Sequence, residues 1–174
     1  GADPAEAAGI TGFPLVIKPR TGAASRGVLR VDDPADLAAA IARVRAIADE
    51  MGESGPLLAE AYVSGDEVAV EGLVTAGKLR VLAVFDKPDT PDGPTFAETL
   101  MVTPSTLTGH SELERVVATG VAALGLTDGP IHAEARVVRS GRVHLLEIAA
   151  RSIGGLCGRS LRFGLTNAGL EEQI

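Results

Sequence analysis

Residues 130–151 read PIHAEARVVRSGRVHLLEIAAR, two apolar-rich runs separated by Ser140-Gly141. A small polar residue followed by glycine between two such runs is a hairpin signal. With Ser140-Gly141 as a two-residue turn, Arg139 pairs with Arg142, and counting outward sets Glu134 directly opposite Glu147. Side chains alternate faces along a strand, so His132, Glu134 and Arg136 are expected to share a face with Leu145, Glu147, Ala149 and Arg151. Like charges directly opposed destabilise a sheet, and a divalent cation between them is the simplest remedy. The competing reading is a solvated sheet face with scattered charges.

The rest of the chain bears on that choice. At 174 residues and 45% hydrophobic content it can build one good core, or two small lobes. Glycine is frequent at 21 residues and aromatics make up 3%, so Ala, Val, Leu and Ile must do the packing, as in α/β-type proteins. A net charge of -7 without a long basic run argues against nucleic acid or an acidic membrane surface as partner. The single cysteine, Cys157, cannot close an internal disulfide, and no Cys/His cluster has zinc spacing. A cytoplasmic location fits this cysteine usage. No charged-then-apolar leader opens the chain, and no apolar run approaches about 18 residues, so neither a targeting nor a membrane-spanning segment is expected. The chain begins without Met and stops at Gly169–Ile174, which reads like the first turns of a helix, as in a fragment of a longer protein.

After a small-residue leader, FPLVIKP (13–19) reads as a buried strand ending in a lysine, with Gly27 to Val31 as its returning partner. Asp33-Pro34 supplies an N-cap and a first-turn proline, and Leu37, Ile41, Val44 and Ile47 form the stripe of a helix ending near Met51-Gly52. Strands are expected over 56–63, 67–75 and 78–85, the last two joined at Ala76-Gly77, followed by a loop over 87–93. A second helix runs from about Ser111 to Leu124 and stops at Gly125. Ser152 to Arg162 (SIGGLCGRSLR) reads as a glycine-rich turn carrying two arginines.

Three constellations carry chemistry. KPRTGAASRGV (18–28) places a cation at a strand end before a Gly/Ser loop whose backbone N–H groups can face phosphate oxygens. It is neither a P-loop nor a GxGxxG loop, and taken alone it is a flexible surface loop. LLAEAYVSGDEVAVEG (57–72) holds Glu60, Glu67 and Glu71, which are either solvated strand charges or a set in which Glu60 and the following backbone meet a purine edge and Glu67 accepts from ribose hydroxyls. Cys157 has no evident base beside it and reads as a small packed side chain. His110, His132 and His144 are spaced too irregularly for a metal set and read as structural, His132 as a pocket neighbour.

The order of these features, from Phe13 to Arg162, resembles the ATP-grasp superfamily of carboxylate ligases, which includes biotin carboxylase, glycinamide ribonucleotide synthetase and L-amino acid ligases. The resemblance implies that Lys18 of IKP binds nucleotide phosphate and that the loop Gly22 to Gly27, with Ser25, closes over the phosphates. It implies adenine contacts from Glu60, Ala61 and Val63, and a ribose contact from Glu67 in Gly65-Asp66-Glu67. The paired metal carboxylates of the family fall on Glu134 and Glu147, the residues that the hairpin count isolates independently, and Arg151 matches the arginine that stabilises the transferred phosphoryl group. One position departs: many relatives carry Asn two residues after the second carboxylate, where this chain has Ala149.

What the resemblance implies overall is an α+β ATP-grasp fold. A small α/β lobe (about 13–60) would lie over a larger antiparallel-sheet lobe (about 61–174), with ATP and Mg2+ or Mn2+ between them. The implied activity is that of an ATP-dependent carboxylate-amine ligase, which activates a carboxylate as an acylphosphate for attack by an amine. Lys87 and Arg159 are further candidates to touch substrate. Flanking domains of the parent chain and a homodimer are compatible with it. A nucleotide-binding regulatory module without ligase chemistry is the alternative, supported by Ala149.

Overall fold

The computed structural model describes residues 4–107 and 110–173. Helices and antiparallel sheets coexist in it, an α+β fold. The chain clusters into two compact units, residues 1–63 with 90–99, and residues 64–89 with 100–174.

In the first unit, a helix α1 (Pro4–Thr11) occupies the stretch read as a small-residue leader. Strand β1 (Leu15–Pro19) is flanked by β2 (Leu29–Val31) and β3 (Leu57–Ala61), both antiparallel to it, so Gly27–Val31 returns as expected. Alternation puts Leu15, Ile17 and Pro19 inside and leaves Val16 and Lys18 on the other face. The Asp33 side chain accepts from the Ala35 N–H at 2.8 Å and starts a 3-10 turn, Pro34–Asp36, which leads into α2 (Leu37–Glu50). Its apolar face brings Leu37, Ile41, Val44 and Ala48 onto Leu15, Ile17 and Leu57.

The segment 90–99 belongs to this unit because Arg30 and Tyr62 hold it. Arg30 Nη1 donates to the Asp92 carbonyl at 2.7 Å, its guanidinium lies 4.1 Å over the Tyr62 ring, and Tyr62 stacks on Phe96 at 6.4 Å. The Tyr62 hydroxyl donates to the Asp92 carboxylate.

The second unit is built on a four-stranded antiparallel sheet in the order β5 (Lys78–Asp86), β4 (Asp66–Thr75), β6 (Gly129–Val137), β7 (Val143–Ala149). Ala76 and Gly77 both take positive φ, 48° and 73°, as a tight β4–β5 hairpin requires. Helix α3 (His110–Ala123) lays Leu113, Val117 and Val121 on one face of the sheet, against Val68, Val70, Ile131, Ala133 and Ala135. The opposite face is partly apolar, with Ala69 and Phe85 under Leu161 and Leu170. The remainder of that face carries the charged residues described below.

The 152–162 segment is not only a turn. Gly155–Ser160 forms a short helix, α4, followed by the two-residue strands β8 (Arg162–Phe163) and β9 (Ala168–Gly169). Leu170–Glu172 is a 3-10 turn rather than the start of an α-helix, and Ile174 lies outside the described residues. Among the described residues no helix is long and apolar enough to cross a membrane.

The β6–β7 hairpin corrects the sequence reading in its path while keeping its endpoint. The loop has three residues, not two: the Gly141 N–H donates to the Val138 carbonyl at 2.8 Å, and the Val138 N–H to the Arg142 carbonyl at 3.0 Å. Arg139 therefore does not pair with Arg142, and the ladder opens with Val137 opposite Val143, one residue out of the expected register. The three-residue loop needs positive φ only at Gly141 (81°), whereas a tight two-residue turn would also force Ser140 there. A β-bulge between Glu134 and Ala135 then absorbs Leu146 and restores the register, placing Glu134 opposite Glu147. Between loop and bulge the face assignment reverses. Leu145 lies opposite Ala135 and packs into the core below α3, so it does not share the face of Glu134, and His144 stands opposite Arg136 instead.

Candidate active site

In the first unit, Lys18 and Glu60 come together. Val16 pairs with Glu60 in the β1–β3 ladder, so Lys18, two residues along β1 on the same face, reaches the Glu60 carboxylate at 2.7 Å. The loop after Lys18 is exposed at Gly22, half-buried at Ser25 and buried at Gly27. Ala24, Ser25 and Gly27 hold φ of 55°, 54° and 77°, and the Val28 N–H donates to the Ser25 carbonyl at 3.2 Å, so the loop is a series of tight turns. A Cβ at Gly27 would stand 3.2 Å from Pro19 and 3.3 Å from Ile47, which fixes glycine at the point where the loop rejoins β2. Thr21 hydrogen-bonds the Glu53 carboxylate. At the end of β3, Ala61 is exposed, Val63 half-buried, and the Tyr62 N–H is taken by the Pro14 carbonyl at 3.0 Å.

In the second unit the β4–β6 register writes the charge pattern. Glu67 stands opposite Arg136, Ala69 opposite Glu134, and Glu71 opposite His132, so two acid–base pairs flank Glu134 on one face. Glu67 is buried; it accepts from Arg136 Nε at 3.1 Å and Nη2 at 3.0 Å, and from Lys87 Nζ at 3.1 Å. Lys87, at the end of β5 with a fully buried side chain, also donates to Glu134 at 2.5 Å. His132 is hydrogen-bonded to Glu71 through Nδ1, and its Nε2 lies 3.4 Å from the same Glu134 oxygen that Lys87 holds. Glu71 is 1% exposed and accepts the Ile153 N–H at 2.8 Å. Glu67 and Glu71 are thus not solvated strand charges. Glu147 is exposed across from Glu134, and Arg151 is exposed with its guanidinium on the Ser152 carbonyl at 3.1 Å. Cys157 is half-buried against Met101, as a packing residue.

These contacts set the charge states. Burial alone would raise the Glu134 carboxyl, but His132 and Lys87 outweigh it and hold Glu134 down at about 2. Burial likewise would lower His132, but its hydrogen bonds and charge interactions with Glu134 and Glu71 hold it up at about 9. Asp86, just before Lys87, is held below its ordinary value despite burial, by Ser105 and Thr106, and so clamps the chain that returns beneath β5.

A pH dependence of stability follows. The His132 contribution is complete below its unfolded value near 6.5 and is lost as pH rises through about 9. The Glu134 contribution is complete above its unfolded value near 4.5 and is lost as pH falls through about 2. Thermal midpoints are expected to be highest between those two unfolded values and to decline from neutral pH toward pH 9–10. In His132→Gln the alkaline decline should shrink. An alkaline slope unchanged by that substitution would assign it to another group.

The donor set suits a divalent cation in one respect: Glu134 and Glu147 offer hard oxygen ligands from facing strands, and Glu134 is ionised throughout the physiological range. Sequence reading isolated this pair together with Lys18, Glu60 and Glu67. It missed Glu71 and Arg136 as partners in the same network and left Lys87 at its margin. The readable signal was the alternation Glu67-x-Ala69-x-Glu71 against His132-x-Glu134-x-Arg136, two strands of complementary sign.

The family described as "ATP-grasp domain" matches residues 11–160. None of the curated proteins compared matches the chain. Among solved structures, L-amino acid ligase from Bacillus licheniformis is 33% identical with a TM-score of 0.68, over 80% of this chain and 34% of that one. Biotin carboxylase from Campylobacter jejuni, solved with β,γ-ATP, is 18% identical with a TM-score of 0.71, over 86% of this chain and 34% of that one. The biotin carboxylase domain of Hydrogenobacter thermophilus 2-oxoglutarate carboxylase, a dimer solved with MgADP, ADP and bicarbonate, is 18% identical with a TM-score of 0.71, over 87% of this chain and 34% of that one. The chain thus spans about a third of the length of these relatives.

Proposed function

Because the chain belongs to the ATP-grasp domain family, we propose that it is the nucleotide- and metal-binding module of an ATP-dependent carboxylate-amine ligase. The observation that carries the reading is the opposition of Glu134 and Glu147, held in register by a β-bulge, with Glu134 kept ionised by Lys87 and His132. The similarity to an L-amino acid ligase and to nucleotide-bound biotin carboxylases supports it. In this reading residues of about 13–60 form the small lobe and those of about 61–174 the larger one.

Roles are assigned accordingly. Lys18 places a point charge on nucleotide phosphate, and Gly22, Ser25 and Gly27 belong to a cover whose backbone N–H groups face phosphate oxygens. Glu60, Ala61 and Val63 contact adenine. Glu67, whose two oxygens already hold Lys87 and Arg136, keeps further lone pairs for ribose hydroxyls. Glu134 and Glu147 hold Mg2+ or Mn2+, which when bound neutralises charge on the phosphate oxygens. Arg151 stabilises the negative charge that develops on the transferred group. The γ-phosphoryl passes to a substrate carboxylate, releasing ADP, and the resulting acylphosphate is attacked at its carbonyl carbon by an amine, releasing phosphate. Water must be kept out while the acylphosphate exists, a task for the Gly22–Gly27 loop. Flanking segments of a longer parent chain would complete the carboxylate and amine sites, and a cytoplasmic location and a homodimer accord with the reading.

Titration calorimetry with ATP and Mg2+ tests it. Binding is expected to require the metal and to weaken about tenfold or more in Lys18→Ala, the loss typical of a charged phosphate contact. Nucleotide binding that ignores both metal and Lys18 would reject the reading. Ala149 gives the second reading its footing: binding of this kind without ADP release in the parent protein, across a panel of carboxylates and amines, would mark a regulatory module instead.

A further inference from the structure

Glu71 has no part in the roles assigned above, although it is among the largest fully buried side chains. A carboxylate taken out of water costs several kcal/mol unless its oxygens are matched, and both are. One oxygen faces His132 Nδ1, and the other accepts the Ile153 N–H at 2.8 Å. With Nδ1 against Glu71, the other ring nitrogen, Nε2, is turned toward Glu134, 3.4 Å away. Ile153 lies two residues beyond Arg151, in the irregular stretch 152–154 between β7 and α4. A single buried group therefore connects to Glu134 through an imidazole and to the stretch after Arg151 through a peptide N–H.

We propose that Glu71 is a positioning residue for both halves of this site, fixing His132 against the Glu134 carboxylate and anchoring the stretch that follows Arg151. The proposal rests on the reading of Glu134 and Glu147 as metal carboxylates and extends it to the layer behind them. Its chemistry is that of an acceptor behind a histidine which abuts a ligating carboxylate; partners of this kind typically change metal affinity by about 10- to 100-fold when removed. A staple with no bearing on the site would instead affect stability alone.

The two links are separable by substitution. Glu71→Gln keeps the shape and one acceptor oxygen, which can still take the Ile153 N–H, but presents an NH2 group to His132 Nδ1. Glu71→Ala removes both links. Mn2+ binding is read by water-proton relaxation enhancement with a non-hydrolysable ATP analogue present, and the Ile153 amide by hydrogen exchange. Both are measured well below the thermal midpoint of each variant. Glu71→Gln is expected to weaken Mn2+ binding about tenfold with Ile153 still protected, and Glu71→Ala to weaken binding at least as much and to speed Ile153 exchange by about tenfold or more. If Glu71→Ala does not fold, the Glu71→Gln result decides. Mn2+ binding within twofold of wild type in Glu71→Gln, while Glu134→Gln/Glu147→Gln abolishes it, overturns the positioning role and leaves the metal reading intact. Mn2+ binding that survives Glu134→Gln/Glu147→Gln, or is absent from the wild-type chain, overturns the metal reading and the role of Glu71 with it.

Discussion

Lys87→Met is expected to destabilise the second unit by about 3 kcal/mol, the lower end of the range for removing one partner from a buried ion network. The side chain is fully buried, 3.1 Å from Glu67 and 2.5 Å from Glu134. Methionine matches its length and apolar stem, so the loss is that of charge and hydrogen bonds rather than of volume. The cost does not reach the upper end because each carboxylate keeps a second cation, Arg136 for Glu67 and His132 for Glu134. Two consequences can be measured. Urea denaturation should show a lower midpoint at unchanged slope, and the Glu134 carboxyl should titrate higher than in the wild type, since one of the charges that holds it down is gone. The double variant Lys87→Met/Glu134→Gln should recover part of the stability, because the orphaned carboxylate goes with its partner. A midpoint within about 0.5 kcal/mol of wild type in Lys87→Met, the range of ordinary surface changes, would mean that the network adds no net stability.

Glu134→Gln and Glu147→Gln should each lower Mg2+ or Mn2+ affinity by about a hundredfold, against about tenfold for Glu71→Gln, yet differ in their effect on folding. Glu134 is the acceptor for Lys87 and the neighbour of His132, so its amide leaves two cations short of charge in a buried place, and a cost of about 2 kcal/mol is expected. Glu147 is exposed, so solvent screens what its charge contributes, and its amide should cost no more than about 1 kcal/mol. The pairing of equal metal loss with unequal stability loss separates the site from its support. Metal affinity unaffected in Glu147→Gln would place the cation elsewhere, and equal stability costs would contradict the burial difference between the two residues. Equilibrium dialysis with Mn2+ and thermal unfolding of the metal-free proteins suffice to decide.

Local signals were readable from the chain. Asp33-Pro34 opened the α2 segment as capping chemistry requires, the Ala76-Gly77 turn joined its two strands, and Gly125, at φ 67°, stands just past the end of α3. The carboxylate pair came out correctly only because two local departures cancel: a loop longer by one residue and a bulge that returns it. Neither has a mark in Arg139–Arg142 or Leu145–Glu147 that counting alone would reveal, since both depend on φ at Gly141 and on Leu145 turning into the core. Glu71 was harder, because its partner lies 61 residues away and the β4–β6 register had to be known before opposite signs could be matched. The helix over Gly155–Ser160 was obscured by its glycines, which favour turns when read locally. The α1 segment shows no amphipathic stripe, and its place is set by packing of Ala8 into the first unit's core.

The segment Thr90–Thr99 changes how the chain can be divided. Because it clusters with the first sixty-three residues, the backbone passes from one unit to the other at 63/64, 89/90 and 99/100. Neither unit is a continuous stretch of sequence, so no single cut yields both intact. A gene fragment ending at Val63 would leave Arg30 and Tyr62 without Asp92 and Phe96, and a fragment starting at Ser64 would carry those two residues away from their seat. Anyone wishing to express the first unit alone should graft residues 90–99 onto its C-terminal end through a short linker, and should bridge the second unit from Asp89 to Leu100 in the same way.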